Sequence, residues 1–373
     1  MRKMLCAAAA AALLLAACGG DDAAEDPKGS LTSALDQLQD YEGVTMTLSV
    51  ESTTDSLVAL SEGQLTDDQA QQIVDSSITF TSKQGENPED GQAEIAADIA
   101  GTDNAFEMKV VDLVLYARAD VSGIMETFNQ DPAQLDAFEQ QATSQPGFEW
   151  VSSALDGEWI ALKGFDQLAE QMGGGAATQP TEAQKQALDG FIRSLRENSS
   201  VTAGDKEGPG THLEVTVPLR DFYESYLDLA NQFAAAQTAQ LPPASEVPDE
   251  DLRIDAWVDD DRLTQAQLDI TQFADYEGAE DFPEGVDELA LQVTFEEFTG
   301  DVTPPDDAVD VDLSQLMQSI LSGAAGGGAT SAQPAPGGDA FCEELEKQIE
   351  GQPQEVVDQL VDQFGAQCPD LGK

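Results

Sequence analysis

The sequence predicts an α+β fold built on an antiparallel sheet. Period-two apolar alternation recurs at short intervals, as where Val44, Met46, Leu48 and Val50 alternate with Thr45, Thr47 and Ser49. Helical stripes lie between such segments, the strongest being Phe222, Tyr226, Leu229 and Phe233 at i, i+4, i+7 and i+11. A hydrophobic content of 41% with 15 Phe provides for a sizeable core, which argues against wholesale disorder despite the acidity.

Before these elements the chain carries an export signal. Arg2 and Lys3 form a positive start, Met4 to Leu15 an apolar run too short for a stable membrane span, and Ala16 and Ala17 a small-residue approach to Cys18. Leu15-Ala16-Ala17-Cys18 resembles the lipobox of bacterial lipoproteins. That resemblance implies cleavage before Cys18, a diacylglycerol thioether on its sulfur and often an acyl group on its new amine. The alternative is an ordinary secretory signal with a chance Cys at the cut. Two or three acyl chains, at about 0.8 kcal/mol per buried CH₂, make a stable anchor, so the expected location is the extracytoplasmic face of the cell membrane. Residues 18–29, rich in Gly and Asp, read as a flexible tether.

From residue 30 to 322 the pattern describes one domain. Leu31, Leu35 and Leu38 share a helix face, and the strand Val44–Val50 follows. Thr66 and Gln69 form a capping box that starts a helix running through Ile73. Strands are expected at Ile78–Ser82, Ala93–Ile99, Phe106–Val110 and Leu113–Ala117, spaced as successive antiparallel neighbours. The middle third is more helical, with Pro132–Gln141, Phe165–Met172 and a helix opened by the capping pair Thr181 and Gln184; on the last, Leu188, Ile192 and Leu195 face the core. Glu158–Leu162 reads as a strand between them. Leu213, Val215 and Val217 mark another, followed by the aromatic stripe, by a hairpin of Leu252–Val258 and Leu263–Ile270 turning at Asp259-Asp260-Asp261, and by a last strand with Leu289, Leu291, Val293 and Phe295.

Residues 323–338, mostly Gly, Ala and Pro, form a low-complexity linker. Residues 339–373 offer a small helical hairpin, Phe341, Leu345 and Ile349 on one helix and Val357, Leu360, Val361 and Phe364 on the other. With Cys6 removed in the signal and Cys18 acylated, Cys342 and Cys368 remain as a pair in an exported protein. A disulfide follows by elimination, worth roughly 3–4 kcal/mol for a loop of about 27 residues; free or metal-bound thiols are the alternative.

Charge and motifs exclude several functions. With 72 acidic residues against 16 basic ones the formal net charge is −56, so nucleic-acid binding is excluded. The sequence has no Gly-x-Ser-x-Gly elbow, phosphate loop, dinucleotide fingerprint or His-Glu-x-x-His, and no cofactor is implied. His212, the only histidine, falls in register with Glu214 and Thr216 and is expected to face solvent, with general base as the sharper alternative. Asp259-Asp260-Asp261 with Asp255 would suit weak Ca²⁺ binding, but the spacing fits no EF-hand and a solvated turn is expected.

The order of elements resembles the LolA-like lipoproteins and, among them, the actinobacterial LppX-type carriers. The likeness rests on Gly43-Val44-Thr45-Met46-Thr47-Leu48, Val111-Asp112-Leu113-Val114-Leu115-Tyr116, Asp255-Ala256-Trp257-Val258-Asp259 with Arg262-Leu263, and Phe298-Thr299-Gly300-Asp301-Val302-Thr303-Pro304-Pro305. It implies a curved antiparallel half-barrel sheet wrapped over helices, enclosing an apolar cavity for lipid chains. The resemblance thus implies a non-catalytic, membrane-anchored protein that binds a lipid or glycolipid, with Phe222, Tyr226, Leu229 and Phe233 as first candidates for the cavity wall. The alternative is an interaction or sensory lipoprotein with a filled core, docking an envelope protein through its C-terminal hairpin.

Overall fold

A computed structural model describes residues 26–85, 87, 90–127, 133–144, 147–164, 182–238, 241–276 and 282–313. Cys18, Cys342, Cys368, the linker, the C-terminal hairpin and the expected helix Phe165–Met172 lie outside these residues. The chain divides into two compact units, Met1–Ser319 and Ile320–Lys373; the elements below belong to the first.

Helix α1 (Pro27–Asp40) begins three residues inside the stretch expected as tether. Pro27 stands in its first turn and the Asp26 carboxylate accepts from the Gly29 N–H at 3.0 Å, so local capping draws the boundary back. Strand β1 (Gly43–Ser52) leads to the short helices α2 (Thr54–Leu60) and α3 (Asp67–Val74), and both halves of the Thr66/Gln69 capping box form. Strands β2 (Ser77–Lys83), β3 (Gln92–Ile99), β4 (Thr102–Val111) and β5 (Val114–Ala119) pair in succession, each antiparallel to the last. Leu113, expected in a strand, instead occupies the β4–β5 turn: Asp112 and Leu113 both have positive φ, 51° and 62°. A two-residue hairpin loop compatible with the strand twist requires this at both positions, and sheet pairing overrides the reluctance of Leu. Asp260 and Asp261 make the same turn in the later hairpin, φ 48° and 62°.

Helices α4 (Val121–Thr127), α5 (Ala133–Thr143) and α6 (Trp150–Leu155) precede β6 (Ile160–Lys163). Then come α7 (Glu182–Asn198), β7 (Ser200–Ala203), β8 (Thr211–Pro218), α8 (Leu219–Thr238), β9 (Asp251–Asp259), β10 (Arg262–Asp269), β11 (Leu289–Glu297) and β12 (Val309–Asp312).

The strands form one 12-stranded sheet in the order β12-β6-β5-β4-β3-β2-β1-β11-β10-β9-β8-β7. It is curved and unclosed, and antiparallel except where β12 pairs parallel to β6. Bulges between Ala97 and Ile99 and between Leu263 and Gln265 add local twist. Pairing of β1 with β11 joins the N-terminal strands to the C-terminal ones. After β11 the chain returns across the polar face: the Phe298 N–H donates to the Gly43 carbonyl, Lys83 pairs with Asp301, and the Val302 N–H donates to Gln92 Oε1 at 2.9 Å. This strap delivers β12 to the far edge, a parallel addition that no local pattern announces.

The main core lies over β8–β11. Leu213, Val215 and Val217 of β8, Leu252 and Ile254 of β9, and Val293 and Phe295 of β11 are buried there with Leu31 and Leu35 of α1, Phe191 and Leu195 of α7, and Phe222 and Leu229 of α8. Among the described residues, β2–β6 contribute none to this cluster.

Candidate functional site: an uncovered apolar sheet face

Register assigns strand residues to one of two faces, and one face carries two adjacent apolar rows. One row across the sheet reads Phe295, Met46, Phe80, Ile95, Met108, Ala117 and Ile160, and the next reads Val293, Leu48, Ile78, Ala97, Phe106 and Ala119. Phe295 and Val293 are buried under the helices of the core, and Ile160 is buried again at β6. Between them the side chains from Met46 to Ala117 are only half-buried, and Ile78 is 50% exposed. Among the described residues the result is a trough on β2–β5, floored by Phe80, Ile95, Phe106 and Met108, none of which belongs to the main core. Single exposed apolar residues are ordinary; a contiguous apolar floor several strands wide is a binding feature.

Beyond β4, α5 packs on α6, which rests on β5, β6 and β12. Phe138, Gln141, Ala142, Phe148, Trp150 and Val151 line a hollow of about 280 Å³ there, close to the lower end of ordinary ligand pockets, about 300 Å³. Phe138 is 56% exposed at its mouth. The Trp150 Nε1–H is buried and has no hydrogen-bond partner among the described residues.

On the polar face of the same half, cations are consumed internally. Arg118 pairs with the buried carboxylate of Glu107, and Lys109 with Glu94 at 3.2 Å. Both cations stand over the Trp159 ring, 4.9 Å and 5.2 Å from its centre.

His212 is a correction. Its position opposite the apolar face of β8 is as expected, but it is buried, 3% exposed, because the loop after β7 folds over it. The His212 Nε2–H donates to Asp255 Oδ1 at 2.7 Å, and the Lys206 backbone N–H donates to His212 Nδ1 at 3.1 Å. Lys206 Nζ completes the group by pairing with Asp255, and the imidazole lies against Trp257 at 5.0 Å between ring centres. Glycine lets the loop close: a Cβ on Gly204 would stand 1.9 Å from His212 Nδ1, and one on Gly208 2.0 Å from Trp257 Nε1. With both ring nitrogens engaged inside the protein, His212 offers no lone pair to a nucleophile. Asp255 is likewise committed, and among the described residues no cluster of three or more His, Cys, Asp or Glu fits a metal ion.

Of the aromatic stripe, Phe222 and Leu229 lie buried in the main core, where Phe222 meets Phe191 edge-to-face at 5.7 Å. Tyr226 is half-buried at the core margin, 6.3 Å from Tyr223 between ring centres. Phe233 belongs to α8, but its side chain lies outside the described residues. The trough residues were read in sequence only as strand residues. The signal that identifies them is their place outside the main core among the described residues, which single-strand alternation does not contain.

No family model and no curated protein matches the chain. Among solved structures it is similar to the crystal structure of the lipoprotein LppX from Mycobacterium tuberculosis, at 11% identity and a TM-score of 0.30, over 74% of this chain and 98% of that one. It is also similar to the crystal structure of LprF from Mycobacterium bovis, at 11% identity and a TM-score of 0.33, over 76% and 98%.

Proposed function

We propose that this chain is an extracytoplasmic lipoprotein, anchored by acylated Cys18, that binds an apolar or amphiphilic molecule such as a lipid or glycolipid along the trough of β2–β5. The observation that carries the reading is the pair of apolar rows, buried at β11, half-buried from β1 to β5 with Ile78 exposed and, in one row, buried again at β6. Acyl chain laid on Phe80, Ile95, Phe106 and Met108 would be stabilised by about 25 cal/mol per Å² of apolar surface removed from water, on both partners. Such binding needs no covalent step, in keeping with a histidine whose two nitrogens are already occupied. The trough supplies the proposed contacts, and the stripe of Phe222, Tyr226 and Leu229 backs the covered half. Cys342 and Cys368 are proposed as the disulfide of the C-terminal hairpin.

Native mass spectrometry of the chain carrying Cys18→Ser, purified without detergent, tests this directly. A stoichiometric mass of co-purified lipid is expected. Repeated lipid-free spectra from a folded protein that also takes up no apolar dye would remove the carrier reading. Labelled palmitate incorporated at Cys18, and lost in Cys18→Ser together with membrane fractionation, is the expected result for the anchor.

A further inference from the structure

We infer that the trough selects against anionic amphiphiles and takes a ligand whose head group is uncharged or cationic and rich in hydrogen-bond donors. The inference rests on the proposed binding role and deepens it. Residues 43–164, which build the open half of the sheet, carry 22 acidic side chains and only four basic ones, Lys83, Lys109, Arg118 and Lys163.

Register puts all four cations on the polar face, alternating with the trough residues, and each is paired there: Lys83 with Asp301, Lys109 with Glu94, Arg118 with Glu107, and Lys163 with Asp310 at 2.6 Å. None of the four can serve a phosphate or carboxylate lying on the opposite face without breaking a pair and crossing the sheet. The floor itself provides no charged group: beside Phe80, at the end of β2, Ser82 adds one hydroxyl to this face, and the backbone N–H and C=O groups are spent in the strand ladders. A head group must therefore sit at the ends of the strands.

Carboxylates stand at those ends. Asp90 and Asp112 lie at one, before β3 and in the β4–β5 turn, where Lys83 and Lys163 are already neutralised by Asp301 and Asp310; Asp75, Asp103 and Asp120 lie at the other, around the ends of β2, β4 and β5. An ionised carboxylate only accepts hydrogen bonds, so it is matched by hydroxyl or ammonium donors. An anionic head placed beside several of them meets uncompensated repulsion next to an apolar, low-dielectric floor. Hydroxyls of a sugar or glycerol head, or an ammonium group, meet complementary partners.

The test keeps the hydrocarbon constant and varies the head. The full chain carrying Cys18→Ser, loaded with the neutral dye Nile red, is titrated with 1-palmitoylglycerol, hexadecylamine and 1-palmitoyl-lysophosphatidylglycerol at low salt. The glycerol ester and the amine are expected to displace dye at concentrations about tenfold or more below the anionic lipid. The gap should narrow in about 0.5 M salt, where screening acts over about 4 Å. Equal displacement by the anionic lipid at low salt, with dye bound and displaced normally, overturns the inference and leaves the binding role standing. A folded protein that binds neither dye nor any of the three lipids overturns the binding role, and the inference falls with it.

Discussion

The two halves of the sheet share one pattern and meet different fates. On β8–β11 the apolar face is sealed by α1, α7 and α8, and residues such as Leu213, Val217 and Val293 are at most 1% exposed. On β2–β5 the same alternation continues up to a bulge between Ala97 and Ile99, yet its side chains are half-buried. Apolar alternation thus prepares a face for burial without saying what buries it: in one half the chain's own helices do so, and in the other the described side chains stay half-buried. The polar faces differ in the same sense. Over β8–β9 a glycine-rich loop buries the His212–Asp255–Trp257 group, whereas over β3–β5 charged side chains are arranged around Trp159.

Matched truncations sharpen this contrast most. Phe222→Ala, in the sealed half, should cost about 3–5 kcal/mol in urea unfolding. Phe106→Ala, in the trough, should cost under about 1 kcal/mol, because its side chain gives up less burial. Equal losses would mean that the two halves are packed alike. Next in size, His212→Ala leaves Asp255 and the Lys206 N–H short of partners in a buried setting and should cost about 1–3 kcal/mol. Gly208→Ala should displace the loop from Trp257, visible as a red-shifted indole emission that the wild-type protein lacks.

Smaller in stability but large in function, Met108→Asp should change unfolding by less than about 1 kcal/mol while lowering apolar-dye uptake about tenfold, through the cost of a charge beside bound hydrocarbon. Unchanged uptake would move the ligand off the trough. The smallest effect belongs again to the sealed half. Burial, followed by nearby charges in which Arg253 partly opposes Glu250 and Asp251, pushes the Tyr276 phenol up to about 12. Its folded pKa exceeds the unfolded value near 10, so its contribution is whole below about pH 10 and is lost as pH rises toward 12. Tyr276→Phe should flatten that part of the alkaline stability curve.

Much of the architecture was legible. Strands β1–β5, the Thr66/Gln69 capping box and the α8 stripe announce themselves through period and capping chemistry within a few residues. The start of α1 at Pro27 reads as tether, because the Gly- and Asp-rich composition masks the capping signal of Asp26 and Pro27. Other features were not legible. Leu113 has strand chemistry and turns because two paired strands oblige it to; β12 joins β6 only because a strap carries it across the sheet; and His212 is covered by a loop whose glycines matter for what they leave room for.

From sequence alone came the alternation that makes every strand two-faced, the overwhelming negative charge, and the expectation of an exported, anchored chain. These follow from local spacing and counting, which need no folded partner. Tertiary structure decided which half of the apolar face is roofed, that the four cations of the open half all fall on the other side, and that the lone histidine is enclosed. Each of those depends on where distant segments come to rest, because burial and pairing are properties of neighbours in space.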